Sequence, residues 1–448
     1  MRNNRTTCFG LIVISAALLS GCGGGGSGGS PSSGGAGGTG AQTYTVSGNL
    51  TGLSSGASVV LLDNGGDNLT LTSNGTFSFT QSLATGSSYF VSVENQLCSV
   101  TQGTGIITDS NISNVTVSCG PEYVYVANYG NNTVSPYTIA TGGALTPMSS
   151  TVAAGSSPIS VTVDPTGHYA YVVNYGNNNI SQYTIAAGGV LTPMTTPAVA
   201  AGTGPVSVKV DPTGQYAYVT NEFGNTVSQY TIGAGGALTP MTTPAVAAGT
   251  SPVSITVDPT GHYVYVANNG NNTVSQYTIG AGGALTPMTT PAVASGNAPI
   301  SVTADPTGQY VYVANNGSNT VSQYTIGAGG ALTPMTTPAV AAGTGTRSVT
   351  ADPTGHYVYV ANNGSNTVSQ YTIGAGGTLT PMTTPAVAAG TSPVSITVDP
   401  TGHYVYVANI GGNTVSQYTI GAGGALTPMT TPAVAAGSSP FSVVVTQP

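Results

Sequence analysis

Charge is what this chain has least of. Among its 448 residues only 4% are Asp, Glu, Lys or Arg, against roughly 25% in an ordinary soluble domain. Four residues are Lys or Arg, so no basic patch can form. That argues against nucleic acid and anionic headgroups as charge-driven partners. Trp is absent and Cys numbers four. The residues that build helical bundles (Leu, Glu, Lys, Ala) do not dominate. Gly (65), Pro (29) and Tyr (25) are abundant instead, with Thr, Val, Ser and Asn, which suit strands and tight turns. Hydrophobic residues still reach 40%, enough for packed cores and too many for plain disorder. The chain therefore reads as all-β.

No apolar run is long enough to span a bilayer as a helix. The longest, Cys8 to Leu19, is about a dozen residues where about 20 are needed. It follows Arg2 and Arg5 and ends in Leu19-Ser20-Gly21-Cys22. Residues 1–22 thus read as a secretory signal, and its end resembles a bacterial lipobox. The resemblance implies that Cys22 is acylated and becomes the mature N-terminus, anchored to a membrane by its lipid. Residues 23–40 are a Gly/Ser-rich tether. Gly23 stands where an Asp would retain such a protein at the inner membrane, so the outer membrane of the cell envelope is favoured. Cys98 and Cys119 remain as an even pair in an oxidising compartment, and a disulfide is expected.

Residues 41–120 alternate short strand-like runs with turns, among them Ser58-Val-Val-Leu-Leu and Thr76-Phe-Ser-Phe-Thr. Asn64-Gly65 and Asn74-Gly75 read as hairpin turns. The spacing predicts a small antiparallel β-sandwich, which resembles the Ig-like modules of bacterial surface lipoproteins.

Residues 121–448 repeat themselves. Asp-Pro-Thr-Gly begins at Asp164, Asp211, Asp258, Asp305, Asp352 and Asp399, always 47 residues apart. Tyr-X-Tyr-Val-X-Asn begins seven times, from Tyr123 to Tyr404. This period with strand-type content predicts propeller blades. One unit reads as four strands: Ser254–Val257, Tyr263–Asn268, Val274–Ile279 and Leu285–Met288. Pro287 in the fourth is tolerable only at a sheet edge, which a blade's outer strand provides. The first unit lacks its first strand, while Phe441–Thr446 is a first strand with no unit after it. Pairing the two closes a seven-bladed ring and removes two free edges.

Tyr218-Val219-Thr220-Asn221, Gln276-Tyr277-Thr-Ile, Gly-Gly-Ala-Leu-Thr-Pro and Pro-X-Ser-X-Thr-X-Asp-Pro-Thr-Gly resemble the YVTN-repeat and lactonase-like propellers, the family of 6-phosphogluconolactonase. The match covers about 122–448 and implies a seven-bladed β-propeller. It implies a reaction far less, because the motif residues recur in every blade and this fold hosts many functions.

A substrate site should break the repeat. An enzyme of this family would need basic and acidic groups converging at the ring centre to hold a carboxylate or phosphate and activate water. The six turn Asp residues have a structural explanation as turn formers. His168, His262, His356 and His403 share one slot after that turn, a solvent-facing position. Three charged departures remain as candidate ligand contacts: Lys209 in place of Thr256, Arg347 in place of Val253, and Glu222 beside Phe223 in place of Asn-Gly. Arg347 and Glu222 would share a rim but sit in distant blades. No catalytic constellation, metal-ligand cluster or cofactor motif is visible. Sparse convergent charge favours a membrane-anchored, non-catalytic binding or surface scaffold with a glycan or envelope protein as partner. The alternative is a lactonase-type hydrolase opening a sugar lactone at the propeller centre.

Overall fold

A computed structural model describes residues 42–53, 59–64, 67–93, 98–140 and 142–446. The signal segment, Cys22 and the tether lie outside the described residues. Contacts divide the chain after residue 42 and hold Thr43–Pro448 as one unit.

The repeat builds seven antiparallel blades. In the blade of Pro252–Ala294 the strands run in chain order from the axis outward: inner Pro252–Val257, second Tyr263–Asn268, third Thr273–Ile279, outer Leu285–Ala294. The second strand is buried almost throughout. It lies between two strands in its own sheet and between neighbouring blades on its two faces, so both sides read as apolar. The odd and even side chains join different interblade cores: Tyr265 and Ala267 pack with the following blade, Val264 and Val266 with the preceding one.

Each Asp-Pro-Thr-Gly turn closes on its own carboxylate. Asp258 is 1% exposed. Its Oδ1 accepts from the backbone N–H of His262 (2.9 Å) and Tyr263 (2.7 Å), and its Oδ2 from Thr260 N–H (3.1 Å) and the Thr260 hydroxyl. Gly261 supplies the left-handed exit at φ 73°. His168, His262 and His356 are exposed, as that slot led us to expect, while His403 is half-buried.

Repeated polar side chains join the blades. Gln276 donates from Nε2 to Thr290 O (2.9 Å) and accepts at Oε1 from Leu332 N–H of the next blade (2.6 Å). The Tyr265 hydroxyl donates to Gly330 O at 2.7 Å. Such groups are committed to architecture, and burying them unpaired would cost ~1–3 kcal/mol each.

The ring closes between the chain's two ends. Pro440–Val445 pairs antiparallel with Tyr123–Asn128, with Val126 opposite Val443 and Val124 opposite Val445. Thr446 N–H donates to Tyr123 O and Tyr123 N–H to Thr446 Oγ1, both at 2.9 Å. Leu145 N–H reaches Gln417 Oε1 at 2.5 Å, so the first blade also docks on the seventh.

Three expectations are corrected. In six blades the outer strand runs ten residues, not four, as in Leu285–Ala294, while in the first blade it is split into Leu145–Pro147 and Val152–Ala153. A register shift lets the strand rejoin its partner beyond Pro287, which an outermost strand tolerates because proline's missing N–H faces no further strand. Inner strands begin two residues earlier than expected, so Arg347 is the second residue of Thr346–Ala351.

The third correction concerns residues 43–119. They form two four-stranded sheets sharing one apolar cluster that includes Val46, Leu61, Phe77, Val91 and Val117, with a short two-stranded pair of Thr43–Tyr44 and Leu83–Ala84. Asn64 does lie in a hairpin, between Val59–Asp63 and Asp67–Leu71. Asn74-Gly75 does not, because the strands on either side belong to different sheets. The Asn74 side chain instead ties down Leu53, accepting from its N–H (2.8 Å) and donating to its O (3.0 Å). Nor is the pairing all antiparallel: Ile112–Cys119 runs parallel to Val46–Thr51. A disulfide joins Cys98 to Cys119 across two paired strands.

Candidate functional site at the ring mouth

The second residue of each inner strand sits at a register shift, between the first and third residues that pair with the neighbouring strand. Around the axis these residues are Phe441, Ile159, Val206, Val253, Ile300, Arg347 and Val394. Phe441, Ile159 and Val206 pack into one cluster with Tyr175, so the tier forms an apolar plug at one end of the ring. Arg347 is its single charged member.

The loop after each second strand borders this tier. Its first residue is Tyr129, Tyr175, Glu222, Asn269, Asn316, Asn363 or Ile410. The backbone pins it beside the inner strand: Glu222 N–H donates to Gly204 O at 2.7 Å, and Tyr129 N–H to Ser439 O at 2.9 Å. Blades one to three thus present aromatics and an acid, while blades four to six present amides. Asn269 and Asn316 donate to Pro299 O (3.3 Å) and Thr346 O (3.0 Å) of the next inner strand.

Arg347 and Glu222, placed by sequence in distant blades, come near enough for the Glu222 carboxylate to act on the guanidinium. The Arg347 guanidinium lies 5.5 Å from the centre of the Phe441 ring, within cation–π range. Burial pulls its pKa down, and the Glu222 carboxylate pushes it back up. Two blades stand between them by the shorter way round the ring, so their coupling requires Arg347 to lie toward the axis rather than along the rim. The Tyr175 phenol is pushed up by burial and then by Glu222 and Tyr129. Tyr129 meets Phe441 at 6.1 Å between ring centres, and Tyr175 meets Phe223 at 5.9 Å in an edge arrangement. Phe223 is 63% exposed and Tyr129 41%, large apolar surfaces of the kind that mark binding sites.

Lys209 does not join them. It is the fifth residue of its inner strand, about 10 Å along the axis from the plug tier at ~3.3 Å per residue. Its side chain is exposed yet hemmed in by protein, as in a narrow lumen, and burial alone pulls its pKa down.

Sequence reasoning missed the aromatic arc. The signal was present in one column: the residue after the strand-ending Asn varies while nearly everything around it repeats. It also passed over Glu122, which fills the slot of the four His. Glu122 is 6% exposed, its Oε1 has no hydrogen-bond partner among the described residues, and its pKa is pushed up to about 9, first by burial and then by the charge of Asp399. It lies at the ring seam, away from the mouth, because the Asp-Pro-Thr-Gly turns occupy the opposite end of the inner strands. Among the described residues no group of three or more His, Cys, Asp or Glu could hold a metal.

Chemically, the mouth offers one donor for a developing oxyanion, one carboxylate able to take a proton from water, and aromatic faces suited to stacking. The family described as Lactonase, 7-bladed beta-propeller matches residues 69–346 and 296–445. No curated protein matches the sequence. Solved structures with a similar fold include a candidate 6-phosphogluconolactonase from Bacteroides fragilis, at 20% identity and a TM-score of 0.64, covering 72% of this chain and 98% of that one. Another is a periplasmic gluconolactonase from Pseudomonas aeruginosa, at 19% identity and a TM-score of 0.63, covering 73% and 100%. A Lactobacillus plantarum protein is similar at 22% identity and a TM-score of 0.63, covering 73% and 99%.

Proposed function

Since this chain belongs to the seven-bladed β-propeller lactonase family, we propose that its plugged mouth binds and opens a sugar lactone. One observation carries the reading. Arg347, one of the few charges that break the repeat, lies within the field of another, Glu222, beside an aromatic arc.

The lactone ring stacks on Tyr129 and Tyr175. Arg347 donates to its carbonyl oxygen, and Glu222 takes a proton from water as the water oxygen attacks the carbonyl carbon. The tetrahedral oxyanion is held by the guanidinium. The bond from the carbonyl carbon to the ring oxygen then breaks, and that oxygen takes the proton back from Glu222. The product is an open hydroxy acid, whose carboxyl group then releases its proton to solvent and faces Arg347 as a carboxylate. A positioned base supplies ~10²–10⁴-fold, and one oxyanion donor ~10²–10³-fold.

Purified protein should therefore release acid from a panel of aldonolactones above the spontaneous rate. Arg347→Ala and Glu222→Gln should each lower kcat/KM by about 10²-fold. No turnover on any lactone ends the hydrolase reading. The second reading, a non-catalytic glycan-binding scaffold, draws on the exposed Tyr129 and Phe223. It is upheld if the protein retains glycans without opening lactones and loses them on Phe223→Ala.

Export accompanies either reading. The Cys98–Cys119 disulfide and the signal-like N-terminus support it, with Cys22 as the proposed lipid anchor in the cell envelope.

A further inference from the structure

Deeper in the ring, one joint departs from the other six. The inner strand's fourth and sixth residues face the preceding blade, as Val208 and Val210 do among Tyr171 and Val173. By the period of two, the third and fifth residues face the other way, toward the axis and the following blade. In six joints the serine at the third place accepts from an N–H of the next inner strand, as Ser160 does from Val208 (3.3 Å) and Ser254 from Val302 (3.1 Å). At the fifth place most blades carry Thr, whose hydroxyl turns back onto its own strand, as Thr303 does to Ala304 O at 3.3 Å.

Blade three breaks both rules together. Thr220 replaces the usual Ala of the second strand, and its Oγ1 accepts from Ser207 N–H at 3.1 Å. The Ser207 hydroxyl has no hydrogen-bond partner among the described residues. Two residues on, and on the same face, stands Lys209. Its ammonium offers three donors, and no acidic side chain acts on it. An unused hydroxyl and an uncompensated cation thus share one stretch of the lumen, in a chain with almost no other positive charge.

We propose that Lys209 and Ser207 form a binding site for a small oxyanion inside the ring lumen. Its ligands are a carboxylate, sulfate or phosphate, held by charge-assisted bonds from the ammonium and a hydroxyl. The site does not rest on the lactonase reading, because anion binding is measured without turnover.

The test uses the full mature chain and Lys209→Thr, which installs the residue of five other blades and so leaves the fold intact. Thermal unfolding is followed while sodium acetate, sulfate or phosphate replaces sodium chloride at constant ionic strength. At an anion concentration about tenfold above Kd, the midpoint should rise by roughly 1–2 °C and saturate. The rise should vanish in Lys209→Thr and shrink in Ser207→Ala. Acetate alone, or the tetrahedral anions alone, would identify the ligand's shape. Equal rises in the parent and Lys209→Thr, or no rise with any of the three, overturn the site.

Discussion

Replacing Glu122 by Gln should stabilise the protein, and by an amount that depends on pH. Glu122 sits at the seam where the ring closes, next in chain to Tyr123, whose backbone bonds to Thr446. Burial and Asp399 lift its pKa from 4.5 to about 9. Between those values the folded protein keeps a proton that the unfolded chain releases. Stability from this group is therefore complete below pH 4.5, falls as pH rises, and stops falling near pH 9. At pH 7 the gap spans about 2.5 units at 1.36 kcal/mol each, or ~3 kcal/mol. Gln keeps the shape and never ionises, so the variant loses this slope. Urea unfolding followed by tyrosine fluorescence is the assay. The variant should match the parent at pH 4.5, exceed it by about 3 kcal/mol at pH 7, and exceed it further at pH 9. A difference that does not change with pH would refute the reasoning, as would a Gln variant that is weaker throughout.

Two further predictions concern the chain's ends. Deleting residues 440–448 removes the strand paired with Tyr123–Asn128 and exposes that strand's edge. The truncated ring should unfold at a lower temperature over a broader range and self-associate in light scattering; a sharp transition at the parent's temperature would argue against closure as the source of cooperativity. In cells fed labelled palmitate, the parent should carry the label and Cys22→Ser should not; label on both places the lipid elsewhere.

Much of the architecture was legible in the sequence because it is set locally and repeated. Asp258-Pro-Thr-Gly261 specifies its turn through one carboxylate, three N–H groups and one left-handed glycine within six residues. The 47-residue interval counted the blades, and the orphaned strand at Phe441–Thr446 pointed to the closing pair. The outer strand's length was not legible, since its continuation past Pro287 depends on a register shift against the third strand. In residues 43–119, Asn74-Gly75 looked like Asn64-Gly65, yet the first joins two sheets, whereas Asn64 ends a strand whose partner lies in the same sheet. Dipeptide chemistry is the same in both, and only the packing of the sheets separates them.

The sequence by itself determined the seven blades, their turns and their closure, because each follows from short-range backbone preference copied at a constant spacing. It also marked Lys209, Arg347 and Glu222 as departures from the copy. Only the tertiary structure decided which of them meet. A ring brings residues 125 positions apart to one axis, where Arg347 lies against Phe441 and within the field of Glu222. It leaves Lys209 further along that axis, apart from both. Convergence across a closed ring depends on radius and tier height, and neither is written in any local stretch of chain.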